Sequence, residues 1–132
     1  MTEAPLPKTA AEALDPRFSP LDRLLRIMSR LRAPDGCPWD REQSHATLRA
    51  TVIEEAYEVA AAISSGDEEN LREELGDLLL QVVFHAQMAR ERGDWDFDSV
   101  AAGIVEKLVR RHPHVFGSEN AATSSDVLKR WE

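Results

Sequence analysis

EEAYEVAAAISSGDEENLREELGD, residues 54–77, decides the fold. Its centre, Ser65-Gly66-Asp67, is a tight break in which Gly66 can end one helix and Asp67 can cap the next. Before it, Leu48, Val52, Val59 and Ile63 recur at helical spacing, so the pattern predicts a helix from near Ser44 to Thr47 as far as about Ser64. After it, Leu71, Leu75, Leu78, Leu79, Val82, Val83 and Phe84 predict a second helix from about Glu68 to Arg92. So short a connection makes the two helices antiparallel neighbours.

Acidic residues punctuate both helices. One carries Glu54-Glu55-x-x-Glu58 and the other Glu73-Glu74-x-x-Asp77. Side chains three apart share a helical face, so Glu55 points with Glu58 and Glu74 with Asp77. At roughly 100° per residue Glu55 falls inside the apolar stripe of its helix, and Glu74 beside that of the other. Four carboxylates meeting there would repel one another unless a cation neutralised them. Hard divalent ions with oxygen ligands, Mg²⁺ or Mn²⁺, suit such a site. The plainer reading is a pair of solvated helix faces, with the acids opposite Arg72 or Arg49. Spacing alone leaves both readings open.

Working outward, Ser19-Pro20 reads as an N-cap with proline at the first helical position, followed by Leu21, Leu24, Leu25, Met28 and Leu31 at helical spacing. Residues 1–19 have prolines and charges without periodicity and are expected to form a mobile arm. Pro34 to Pro38 is rich in turn formers and ends the first helix. Asp96 can cap a further helix through Val100, Ile104, Leu108 and Val109, stopped at Pro113, and a short piece from about Ser125 to Trp131 closes the chain. No stretch alternates with the period of a strand. The expected fold is all-α, a compact bundle of four to five helices forming one domain over residues 20–132. The apolar breadth of the Glu68–Arg92 helix marks it as central, or as packed against a second subunit.

The chain has 132 residues, 42% hydrophobic and 30% charged, with 24 acids against 16 bases and a formal net charge of −8. So acidic a surface repels a nucleic-acid backbone and an anionic membrane, yet bound divalent metal would still admit a small phosphate ligand. Cys37 is the sole cysteine, so no internal disulfide can form and a reducing cytoplasm fits best. The N-terminus lacks the apolar core of a signal peptide, and no apolar run approaches the roughly 18 residues needed to cross a bilayer.

Lys107 and Arg111 are an i,i+4 cationic pair that could grip phosphate oxygens. Arg110 beside them is better read as a partner of the helix C-terminal dipole. Trp39 and Trp131 stand outside the regular stripes and can either stack on a base or anchor packing. His45, His85, His112 and His114 show no metal-ligand spacing.

Taken together, the motifs resemble those of the MazG nucleoside triphosphate pyrophosphohydrolases, within the all-α NTP pyrophosphohydrolase superfamily. The resemblance rests on EExxE followed by ExxD and on GCPWDREQSHATL, EEAYEVAAAI, REELGDLLLQVVFHAQMA, WDFDSV and KLVRRHPHVFG in order, from about Leu21 to Glu132. It covers one copy of a domain that such chains often hold in tandem. It implies hydrolysis of an NTP or dNTP between the α and β phosphates, giving the monophosphate and pyrophosphate, in cleansing or regulating the nucleotide pool. By position it implies Glu55, Glu58, Glu74 and Asp77 as Mg²⁺ ligands, and Glu54 as an acid behind them or the base that orients water. It implies phosphate contacts from Lys107 and Arg111, and base or sugar contacts from Trp131, Trp39, Asp40 and Gln43. It also implies a homodimer, or a higher oligomer, that completes the bundle.

Two other classes fit the sequence less well. A ferritin-like di-iron bundle wants an ExxH pair, and neither Glu55 nor Glu74 is followed by histidine at that spacing. A non-catalytic helical module would tolerate a degraded acidic set, whereas this one is intact.

Overall fold

Ser44 opens the long hairpin with a reciprocal cap. Its Oγ accepts from Thr47 N at 3.2 Å, and its own N donates to Thr47 Oγ1 at 2.8 Å. In the computed structural model, which describes residues 4–120 and 123–132, the helix that follows runs His45–Ser65. Gly66 then turns the chain at φ 71°, a left-handed conformation that glycine adopts without a Cβ clash. Asp67 accepts from Asn70 N at 3.1 Å and starts the next helix, Glu68–Glu91. These two helices pack along each other as the sequence predicts.

Numbered along the chain, the described residues form α1 (Ala10–Ala13), α2 (Pro20–Leu31), α3 (Pro38–Glu42), α4 (His45–Ser65), α5 (Glu68–Glu91), α6 (Phe97–Arg111), α7 (Pro113–Phe116) and α8 (Ser124–Leu128), with a 3₁₀ turn at Lys129–Trp131. All of it is helical, and the four long helices stand where the sequence places them. The count of eight exceeds the expected four to five because α1, α3 and α7 are short pieces without apolar periodicity. The last expected helix divides into α8 and the 3₁₀ turn.

The chain forms two units, Met1–Asp94 and Trp95–Glu132. In the first, α2 packs on α5 and α1 on α2. Met28, Leu48, Ala62, Val83, Phe84, Ala86, Met88 and Ala89 make its core. The C-terminal half of α5 supplies five of these, in line with its broad apolar pattern. One stripe needs correction: Ile63, read with Leu48 and Val52, is 61% exposed, whereas Ala62 is buried. At 100° per residue the stripe has drifted by the end of a 21-residue helix, so its inner edge passes to Ala62.

Of the expected arm, residues 1–3 lie outside the described residues. The remainder includes the Thr9-capped α1, the buried Pro7, and a 2.8 Å bond from Arg26 Nη2 to the Pro5 carbonyl. Gly36 lies close under the end of α2. A Cβ there would fall on the carbonyl oxygens of Leu31 and Arg30, so the α2–α3 loop needs glycine for its close approach.

In the second unit Asp96 caps α6, accepting from Ser99 N at 2.9 Å. Pro113 ends α6 and opens α7.

Candidate functional site

The Gly66 hairpin sets the register of the acidic residues. Glu55 and Glu58 lie about two to three turns before it on α4, and Glu74 and Asp77 a similar distance after it on α5. Carboxylate oxygens of Glu55, Glu74 and Asp77 all lie within 4.8 Å of one another, a group able to hold a metal ion. Glu55 and Glu74 are half-buried, and Asp77 is exposed.

The electrostatics follow from this crowding. Glu55 titrates above the ordinary glutamate range, first because it has lost hydration and then because Asp77, Glu58 and Glu54 face it with like charge. Glu74 is raised in the same way, by burial first and then by Glu58, Asp77, Glu55 and Glu73. Glu58 is exposed and stands outside the three-residue group, but both half-buried acids feel its field. Glu54 is exposed at the margin. Oxygen-only donors with excess negative charge are what a hard divalent cation requires.

The other predicted site residues fall into two sets. Trp39, Asp40 and Gln43 lie on or just after α3. Trp39 is exposed and meets Phe84 edge-on, with ring centroids 6.4 Å apart. Gln43 is engaged locally: Nε2 donates to the Trp39 carbonyl at 2.9 Å, and Oε1 accepts from Thr47 Oγ1 at 2.9 Å. In the second unit the Arg111 guanidinium lies 4.9 Å from the Trp131 ring centroid and donates to its carbonyl at 3.1 Å. Lys107 is exposed one turn earlier on α6.

Four residues have surroundings that the sequence pattern does not reveal. Arg32 donates to Glu91 and to the carbonyls of Asp40 and Gln43, binding α2, α3 and α5 together. His45 and His85 share a hydrogen bond, Nδ1 to Nδ1 at 2.6 Å, so one ring offers N–H and the other a lone pair. Burial, and then the facing His45, hold His85 below the ordinary histidine value. Gln81 is 7% exposed, and its Oε1 has no hydrogen-bond partner. The signal for Gln81 was a single amide inside the apolar run Leu78-Leu79-Leu80-Gln81-Val82-Val83-Phe84.

The family model of the MazG nucleotide pyrophosphohydrolase domain matches residues 43–116, which include all four acids and the hairpin that aligns them. The chain belongs to the MazG family. A nucleoside triphosphate pyrophosphohydrolase of Escherichia coli (strain K12) is 58% identical over 113 residues, covering 85% of this chain and 43% of that protein. A nucleoside triphosphate pyrophosphohydrolase/pyrophosphatase MazG of Thermotoga maritima is 50% identical over 111 residues, covering 84% of this chain and 42% of that one. The chain thus spans under half the length of these curated relatives. The crystal structure of a MazG-related protein from Thermotoga maritima superposes with a TM-score of 0.66 at 34% identity, covering 83% of this chain and 94% of that one. No helix among the described residues of this MazG chain is long and apolar enough to cross a membrane.

Proposed function

We propose that this MazG chain hydrolyses nucleoside or deoxynucleoside triphosphates at the α–β phosphoanhydride bond, releasing the monophosphate and pyrophosphate. The observation that carries the reading is the convergence of Glu55, Glu74 and Asp77 within 4.8 Å on the α4–α5 hairpin of a MazG-family domain. The names of the relatives support the same substrate class.

Glu55, Glu58, Glu74 and Asp77 would hold Mg²⁺, with Mn²⁺ as a substitute. Glu58, exposed and one turn from Glu55, is free to swing its carboxylate toward the other three. A bound divalent ion would neutralise phosphate charge and lower the pKa of a coordinated water. Glu54, the neighbour of Glu55, is positioned in sequence to orient or deprotonate that water. Lys107 and Arg111 are the proposed phosphate-holding cations, and Trp131 and Trp39 the proposed aromatic contacts to base or sugar. Asp40 and Gln43, on and just after the α3 helix that carries Trp39, are proposed as further contacts to base or sugar.

The apolar side chains exposed on the hairpin support a homodimer: Ile53 and Tyr57 on α4, and Leu75, Leu79 and Val82 on α5.

The deciding experiment supplies ATP, dATP and the other common triphosphates with Mg²⁺ and resolves the products. Monophosphate and pyrophosphate in equal amounts are expected. Diphosphate with orthophosphate would overturn the bond assignment. Glu74→Gln and Asp77→Asn should each lower kcat/KM by on the order of a hundredfold while keeping helical content.

A further inference from the structure

The acids of α5 are the start of a longer polar stripe. Asp77 follows Glu74 by three residues, Gln81 follows Asp77 by four, and His85 follows Gln81 by four, which keeps all of them on one face of the helix. The stripe leaves the acidic group and enters the interior. Asp77 is exposed, Glu74 and His85 are half-buried, and Gln81 between them is 7% exposed. Two polar atoms on this inner stretch, Gln81 Oε1 and His85 Nε2, are buried without a hydrogen-bond partner. A buried amide oxygen left unpaired costs about 1–3 kcal/mol, so its retention in an otherwise apolar run calls for a partner that the chain does not supply.

We propose that Gln81 is a specificity-determining residue that reads the hydrogen-bonding edge of the nucleobase. The inference rests on the hydrolase reading, which puts the phosphates at the carboxylates. Gln81 lies one helical turn, about 6 Å, beyond Asp77 along α5. That is the span between an α-phosphate and its base. A side-chain amide offers an acceptor beside a donor, the arrangement that pairs with adjacent complementary groups on a base edge. His85 lies a further turn along. Its bond to His45 through Nδ1 decides whether Nε2 donates or accepts, so it supports the inner end of the same polar stripe. The competing account is a buried water bridging Gln81 and His85, with no part in recognition.

The two accounts separate on substrates that differ only in the base. The test measures kcat and KM of wild type and Gln81→Met, an apolar side chain of similar length, on the four NTPs, the four dNTPs and ribose 5-triphosphate. It adds calorimetric affinity for α,β-imido nucleotides and the ligand-free thermal midpoint. Base reading predicts an approximately tenfold rise in KM and in Kd for the preferred base, with kcat within about twofold and ribose 5-triphosphate unaffected. The thermal midpoint should hold or rise, since an unpaired buried amide has gone. Gln81→Asn, which draws the amide back by one methylene, should change the order of preference among bases.

Unchanged base preference in both variants overturns the inference, as does an equal loss on ribose 5-triphosphate. A loss that follows the 2′-hydroxyl instead of the base overturns it too. In those cases the hydrolase reading stands, because wild type still turns over. Absence of pyrophosphate release by wild type from every substrate overturns both.

Discussion

Glu55 and Glu74 carry the most testable electrostatics in the chain. Each is half-buried among like charges, so each holds its proton to higher pH in the folded state than in the unfolded state. Between the ordinary glutamate pKa and the raised folded value, the folded protein binds more protons. Their contribution to stability is therefore full below the ordinary value and is lost as pH rises through the raised one. A metal ion competes for the same oxygens and gains as the protons leave. In chelator, the thermal midpoint should fall between about pH 5 and about pH 8 by more in wild type than in Glu74→Gln. Added Mg²⁺ should raise the wild-type midpoint more at about pH 8 than at about pH 5. An equal Mg²⁺ effect at both would contradict the assignment of these acids as ligands.

Among the elements, the α2–α3–α5 junction depends on one side chain. The Arg32 side chain is 11% exposed and pairs with Glu91 at 2.8 Å through Nε and 2.9 Å through Nη2. Its remaining arm donates to two carbonyls, Asp40 at 2.5 Å and Gln43 at 3.2 Å, and its guanidinium sits 5.7 Å from the Phe84 ring centroid. Lysine keeps the charge but cannot span these acceptors at once. In urea denaturation, Arg32→Lys should cost about 1 kcal/mol and Arg32→Ala about 2–3, because alanine removes the donor shared by two carbonyls and leaves Glu91 with the Gln87 amide alone. A loss below about 0.5 kcal/mol in Arg32→Ala would place this contact among ordinary surface pairs. This junction also shows where reading the chain runs out. α2, α4, α5 and α6 were legible because each has an apolar period and a capping residue at its start: Ser19, Asp67 and Asp96 accept from the first turn as expected, and Ser44 does the same within the expected start of α4. α3 has neither, since Cys37 makes no side-chain cap and five residues are too few to show a period. Its position comes from Arg32, which reaches across long sequence separation to Glu91 and so leaves no local pattern.

At the scale of the whole molecule, the meeting of the two acidic motifs was legible for the same reason as the long helices: i,i+3 spacing sets a face, and one glycine sets the register. Gln81 was not, because an amide in an apolar run looks like a stray polar residue until its burial is known. The surface that the proposed homodimer would bury depends on α5 side chains whose apolar breadth fits either a central helix or one packed against a second subunit. Leu75, Leu79 and Val82 share one face of α5 at spacings of four and three, yet they are 48%, 40% and 38% exposed. Ile53 and Tyr57, one turn apart on α4, are 51% and 73% exposed. A helix stripe of this kind, left open to water, is the face that the proposed homodimer would bury. Light scattering after size exclusion should therefore give twice the chain mass. Leu79→Glu should lower it to the chain mass by setting a charge into an apolar contact, at a cost of several kcal/mol to association. Leu79 is 40% exposed in its own protomer and lies outside the buried core, so helical content should survive in the monomer. The result that would exclude this face from the interface is an unchanged dimer mass in both Leu79→Glu and Tyr57→Glu.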